Sequence, residues 1–448
     1  MCPYHSITLC FDFSIHLDFK LYYTVINCLV GIKTCNVNSP NPHQHVRDYF
    51  SPHPVEKVGR DDLQRLLAES LFNCLLSQLT AADLLEIDNY ISLVEQDMDI
   101  RFPPHTIGTL PPLMRLHFDP VVAYAKPLLF YGAVRSADLC SDLMLWALGF
   151  RRKQVAGSAL TYWVLEGDSG CTTPAEAAAC AESGTVTSPQ QHPVMFIHGV
   201  GLGLVTYVTF INSLVGAYRP GSRPPLLLLE LPHVSMKLNV EVIPSMPDTV
   251  NSIAQALWQE GGYTQAQFVV HSLGSFIFGA VQYMRPSLVA GVVLVDPVCF
   301  QLWEPSVMSN FCYRVPDTVM QILMHYHITH ELTINHYFHR HFIWTDCVLF
   351  AENLPAYSCV VLSELDEIIN APGVNSYLQR SKRSRSLSSE REETGLEGGR
   401  EERRSEVQVQ MLAGRHHGEW NVHLPSLRQV VGAVVDMGRD LDTDLALA

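Results

Sequence analysis

Five continuous apolar runs, each ending in a turn signal, constrain this chain more than anything else in it: "VMFIHG", "LLLLELP" (226–232), "AQFVVHS", "VAGVVLVDP" (289–297) and "SCVVLSELD" (358–366). A strand with one wet face alternates apolar and polar residues. These do not alternate, so both faces must be covered. Sheets covered on both faces are parallel, because each return crossover is a helix. The stretches between the runs supply such helices, "DTVNSIAQALWQEGG" (248–262) and "SFIFGAVQYM" (275–284). A strand before the runs, "ALTYWVL" (159–165), and one after, "SEVQVQML" (405–412), extend the pattern. Residues 158–448 therefore read as an α/β domain: a mostly parallel central sheet with helices on both faces.

One span invites a different reading. No Asp, Glu, Lys or Arg occurs between Glu182 and Arg219, and "VMFIHGVGLGLVTYVTFINSLVGAY" (194–218) is long enough to cross a bilayer. Its β-branched first half and its His-Gly-x-Gly turn favour a buried strand, a glycine loop and a buried helix.

The rest of the chain is organised around this domain. Residues 1–60 read as a leader and linker, partly disordered, with Pro, Asn and His concentrated in 36–60. Residues 61–150 read as a helical N-terminal subdomain; Leu63, Leu66, Leu67, Leu71, Leu75 and Leu79 fall near helical spacing. A small, polar stretch (166–191) and a mixed-charge stretch (380–405) read as disordered inserts. Residues 298–357 read as a helical cap inserted between core strands.

Composition narrows the function. With a net charge of −15 the chain lacks the dominant basic surface that a general nucleic-acid binder needs. The 12 cysteines form no CxxC pair and read as free thiols of an intracellular, cytoplasmic compartment. Residues 1–19 carry no Lys or Arg and their apolar run is broken by Asp12 and Asp18, unlike a secretory signal. The apolar "LYYTVINCLVGI" (21–32) is too short to span a bilayer, which leaves peripheral membrane contact through residues 1–35 open.

The chemistry centres on "FVVHSLGSFIFG" (268–279). Ser272 ends an apolar strand and precedes a helix. A sharp turn there lifts a hydroxyl over the sheet, and the helix N-terminus aims amides at a developing anion. Small neighbours are needed; Gly274 is one, whereas Val270 stands where the usual pattern has glycine. Partners follow in the chain order acid, then histidine. Asp366 ends the strand in "VVLSELDEIINA", and His417 lies in the loop of "VQMLAGRHHGEW". Asp296, in "LVDPVCF", is a rival acid that also ends a strand. The backbone amides of Val200, in the glycine loop "FIHGVGLG", and of Leu273 are the candidate oxyanion donors.

The motifs "FIHGVG", "VVHSLGS", "LVDPV", "LSELDEII" and "HHGEW", in this order, resemble those of the α/β-hydrolase fold in its serine esterase and lipase branch. "HSLGS" is similar to the lipase elbow "GHSLGG", and "ELTINHYFHRHFIW" (331–344) resembles a segment of a poorly characterised eukaryotic sub-family with a helical N-terminal region. The resemblance implies Ser272 as nucleophile, Asp366 as acid and His417 as base. It favours His417 over His416 because the family's histidine directly precedes a glycine. It implies hydrolysis of a small-molecule or lipid carboxylic ester with no cofactor, and disfavours epoxide or haloalkane chemistry, which uses an aspartate nucleophile on this fold. A non-catalytic binding module on the same fold stays open as the alternative.

The histidine-rich stretch "HYHITHELTINHYFHRHF" (325–342) offers His327/His330 and His336/His339 at helical spacing, but no HExxH and no flanking cysteine or carboxylate pattern, so no metal is expected there. It reads instead as cap, with Tyr326, Tyr337, Phe338, Phe342 and Trp344 suited to covering an apolar acyl group. His271, beside the nucleophile, reads as a packing residue.

Overall fold

The computed structural model describes residues 57–108, 114–168, 191–238, 242–392 and 407–447. The chain divides into two compact units, Met1–Leu113 and Met114–Ala448. Nearly all of the expected leader and linker, and most of the 166–191 insert, lie outside the described residues.

In the first unit the leucine periodicity resolves into two helices, α1 (Arg60–Leu71) and α2 (Ala81–Met98). Helix α1 buries Leu63, Leu67 and Ala68, and α2 buries Ile87, Tyr90, Ile91 and Val94. Thr80 starts the second helix: its hydroxyl accepts from the Asp83 amide while the Asp83 carboxylate accepts from the Thr80 amide. Arg60 pairs with Glu95 at 2.7 Å across the two helices.

The second unit opens with helix α3 (Leu128–Ala147), so the helix expected at 134–150 lies in this unit and not with residues 61–100. A strand that apolar patterning did not reveal follows, β1 (Arg151–Gln154), which pairs antiparallel with β2 (Thr161–Leu165). Its sequence, RRKQ, is exposed throughout, as suits an edge strand that charge protects from further pairing. The core elements come next: β3 (Val194–Ile197), α4 (Val208–Ala217), β4 (Leu226–Leu229), α5 (Met246–Gln259), β5 (Ala266–His271), α6 (Gly274–Met284) and β6 (Val289–Val295). The cap region holds four short α-helices, α7 (Ser306–Met308), α8 (Val319–Met324), α9 (Leu332–Arg340) and α10 (Trp344–Cys347), the first two each running on into a π-helical turn. The chain closes with β7 (Tyr357–Ser363), α11 (Ala371–Glu392), β8 (Gln408–Leu412) and α12 (Leu424–Leu447). Helix α11 runs into the stretch expected as a disordered insert, so residues 380–392 are helical; no proline or glycine interrupts them.

The eight strands lie in the order β1-β2-β4-β3-β5-β6-β7-β8. Strand β2 is antiparallel to both neighbours, and every pairing from β4 to β8 is parallel. One face packs on α4 and α12, where Phe196, Val269, Val293 and Val361 meet Phe210, Ile211, Val430 and Val434. The apolar runs are continuous because the central strands are buried on both faces: β3, β4 and β5 have no exposed residue. The span 194–218 is β3, a turn of 3-10 helix at Gly203–Tyr207, and α4, as the glycine loop implied. No helix among the described residues is long and apolar enough to cross a membrane.

Candidate active site

The parallel strands all deliver their C-terminal ends to one edge of the sheet, and the candidate residues sit there. Ser272 occupies the two-residue turn between β5 and α6 with φ +49°. A non-glycine residue in the left-handed region stores about 1–3 kcal/mol, held here by the packed elements on both sides. Gly274 is obligatory: a Cβ on it would stand 2.3 Å from the Ile197 carbonyl oxygen, so only glycine lets α6 start this close to β3. Val270 is accommodated by register. It pairs with Ile197 on one side and Leu294 on the other, fully buried inside β5, and the positive φ falls on Ser272 instead.

His417 reaches both expected neighbours. Its Nε2 lies 2.8 Å from Ser272 Oγ and its Nδ1 lies 2.6 Å from Asp366 Oδ2. The other Asp366 oxygen accepts from the amides of Ile368 and Ile369 at 2.8 and 3.0 Å, which fixes the carboxylate by the turn that follows β7. His416 points away, to Glu367. Burial favours the neutral form of His417, yet the charge and hydrogen bond of Asp366, with the charges of Asp296 and Glu367, overcome this and hold its pKa up at about 9.

Asp296 does not bond His417. Its oxygens accept from the Ser363 amide (2.8 Å), the Ser363 hydroxyl (3.0 Å) and the Gly418 amide (2.9 Å). It is fully buried, and burial, with the nearby charge of Asp366, raises its pKa above the usual carboxylate value. Asp296, Asp366 and His417 are the only cluster of potential metal ligands among the described residues. The cap histidines bond to backbone and aromatic neighbours instead, as with His339 to the Asn335 carbonyl and His330 stacked on Tyr124.

His271 is more than packing. The Tyr207 hydroxyl accepts from the Gly199 amide at 3.0 Å and meets His271 Nδ1 at 2.6 Å. The tyrosine proton therefore goes to Nδ1, leaving the imidazole hydrogen on Nε2. That nitrogen faces Asp296 Oδ2 at 3.9 Å, beyond hydrogen-bond length, and has no other partner. Burial first, then the charges of His417 and His198, push the His271 pKa far down, so the ring stays neutral. A polar chain thus runs from the glycine loop, through Tyr207 and His271, toward Asp296 and the residue after His417. Its members are 64 and 122 residues apart in sequence, and no local spacing signals them.

Val200 and Leu273 line the same small cavity as Ser272, and neither amide makes a backbone hydrogen bond among the described residues. The cavity holds about 20 Å³, room for roughly one water, because Val307, Phe311 and Phe338 of the cap close over it. A larger cavity of about 470 Å³ lies beside α3, lined by Tyr131, Arg135, Asp138, Arg152 and Lys237, and contains none of the site residues.

The strand order, the antiparallel β2 and the strand-turn-helix at Ser272 are those of the α/β-hydrolase fold. No family model matches the chain, and no curated protein matches it. Among solved structures it is similar to a proposed lipase of Acinetobacter baumannii AYE, at 12% identity and TM-score 0.44, covering 69% of this chain and 97% of that one. It is also similar to a thermophilic esterase from Thermogutta terrifontis (11%, TM-score 0.41, 65% and 99% covered). A third is haloalkane dehalogenase DbeA from Bradyrhizobium elkani USDA94 (10%, TM-score 0.39, 65% and 99% covered).

Proposed function

We propose that the protein is a serine hydrolase of carboxylic esters. The observation that carries this reading is the unbroken chain from Ser272 Oγ to His417 Nε2 (2.8 Å) and from His417 Nδ1 to Asp366 Oδ2 (2.6 Å). His417 takes the Ser272 proton as Oγ attacks the ester carbonyl. The amides of Val200 and Leu273 bind the oxyanion, and His417 returns the proton to the leaving alcohol. Water then attacks the carbonyl of the acyl-enzyme and gives a proton to His417; the bond to Ser272 Oγ breaks, the acid leaves, and His417 returns the proton to Oγ. Asp366 keeps the imidazole in the tautomer that presents Nε2 to serine. The cap side chains Val307, Phe311 and Phe338 favour an apolar acyl group, which enters once they part.

The second reading, a non-catalytic binding module, is favoured by one observation: the cavity over Ser272 is too small for an ester as it stands. Labelling with a fluorophosphonate probe separates the two. Labelling of the wild type that Ser272→Ala abolishes is the expected result. A folded wild type that never labels would leave the binding module.

A further inference from the structure

Helix α3 is inside out. Its buried positions are Val134, Asp138, Ser141 and Leu145, two of them polar. Asp138 faces inward onto Lys237 at 3.0 Å. The outward positions carry Leu129 at 83% exposure, Leu139 at 48%, Leu143 at 66%, Met144 at 53% and Trp146 at 63%. A surface helix on a globular protein ordinarily does the opposite, and the largest exposed apolar patch of a monomer is often a functional one.

We propose that this outward face of α3, with the cap residues beside it, docks the protein on an electrically neutral lipid surface. The face fits such a surface because it carries almost no charge. Its one cation, Arg135, is tied to Asp138 at 3.1 Å, and its one carboxylate that is not buried, Asp142, is half-buried at the edge of the strip. The chain's net charge of −15 opposes an anionic membrane, so the attraction must be apolar. The first turn of α3 also abuts the cap. Phe130 stacks on His327, Tyr131 donates to Glu331, and the adjoining helix α8 exposes Val319, Met320, Ile322 and Leu323. The cap is the element that closes the Ser272 cavity, so docking here sets the site's entrance beside the lipid. Spanning is excluded for α3, whose inner face is pinned by ion pairs; it would lie in the interface plane. A second copy seated on α3 alone would be held by a strip about 30 Å by ~10 Å, or roughly 300 Å², against the ~800 Å² per partner of a stable interface, so a dimer would have to bury the cap as well.

This inference does not rest on the chemistry at Ser272, and its test is separate. Full-length protein is floated with phosphatidylcholine vesicles, wild type beside the double variant Leu139→Glu/Leu143→Glu, with thermal unfolding as the check on folding. The expected result is flotation of the wild type, unchanged at about 0.5 M NaCl, where charges are screened within a few ångströms. The double variant should partition roughly ten-fold less or weaker, since it places two carboxylates in the apolar contact. In the wild type, tryptophan emission should shift to the blue on adding vesicles, and Trp146→Phe should remove that shift. Absence of wild-type flotation, or flotation that the double variant leaves undiminished, would overturn the proposal. So would a vesicle-free dimer in sedimentation that the double variant breaks, which would assign the face to a second copy.

Discussion

Two carboxylates end neighbouring strands, and they do different work. Asp366 leaves β7 into a turn whose amides of Ile368 and Ile369 hold one oxygen and free the other for His417. Asp296 leaves β6 with φ +43°, and its bonds are taken by Ser363 and by Gly418, beside His417. One carboxylate meets the imidazole; the other braces the loop that carries it. Two acids of like sequence context are thus separated by which donors lie within reach, not by their position at a strand end.

The sharpest break in this comparison is Asp366→Asn. An amide there donates where an acceptor is needed and favours the wrong tautomer of His417, so the rate of fluorophosphonate labelling should fall about 10⁴-fold. Should Asp296→Asn fall equally far, the division of roles assigned above would fail. The expected loss for Asp296→Asn is smaller, about 10–100-fold, and comes with a displaced pH profile. His417 is faced by Asp366 and Glu367 from the loop after β7, by Asp296 from the end of β6, by His271 from the end of β5 and by Ser272 from the turn that follows. Removing the Asp296 charge removes support for the imidazolium and lowers the His417 pKa. Reactivity needs the neutral ring, so the rising limb should move to lower pH. A limb that stays in place would reduce Asp296 to a brace without electrostatic influence.

A third variant tests the polar chain that approaches Asp296 from the far side. Tyr207→Phe strands the buried Gly199 amide and His271 Nδ1. It should cost about 1–3 kcal/mol in denaturant unfolding, with a few-fold loss of labelling through the adjacent Val200 amide. Unchanged stability would mean that these groups find other partners. The smallest effect on reactivity is expected from Val270→Gly, which restores the usual elbow pattern. Because Val270 is an ordinary buried strand residue, the change should leave labelling within about two-fold while destabilising by roughly 2–4 kcal/mol from lost burial and added backbone freedom. A large rise in labelling would show that Val270 hinders the turn.

Much of the sheet was legible because its central strands are buried on both faces, which leaves continuous apolar runs in the sequence. The charged edge strand β1 was not, since an exposed strand carries no burial pattern. Ser272 and the two candidate acids, Asp366 and Asp296, could be nominated from strand ends and chain order, whereas the choice of His417 over His416 came from the family resemblance. Tyr207 and the role of His271 could not be nominated. The tyrosine sits in a turn of 3-10 helix and the histidine at a strand end, and neither residue type at those places announces a partner 64 residues off.

The sequence by itself determined the alternation of buried strands and helices, and with it the edge where loops collect. Local patterns suffice there, because apolar burial and turn chemistry act over a few residues. Only the tertiary structure decided which carboxylate meets His417, and that α3 turns Asp138 inward. Asp138 finds Lys237, 99 residues away, a partner that the helix's own periodicity does not announce. Pairings of that kind depend on distances in space that no stretch of sequence encodes alone.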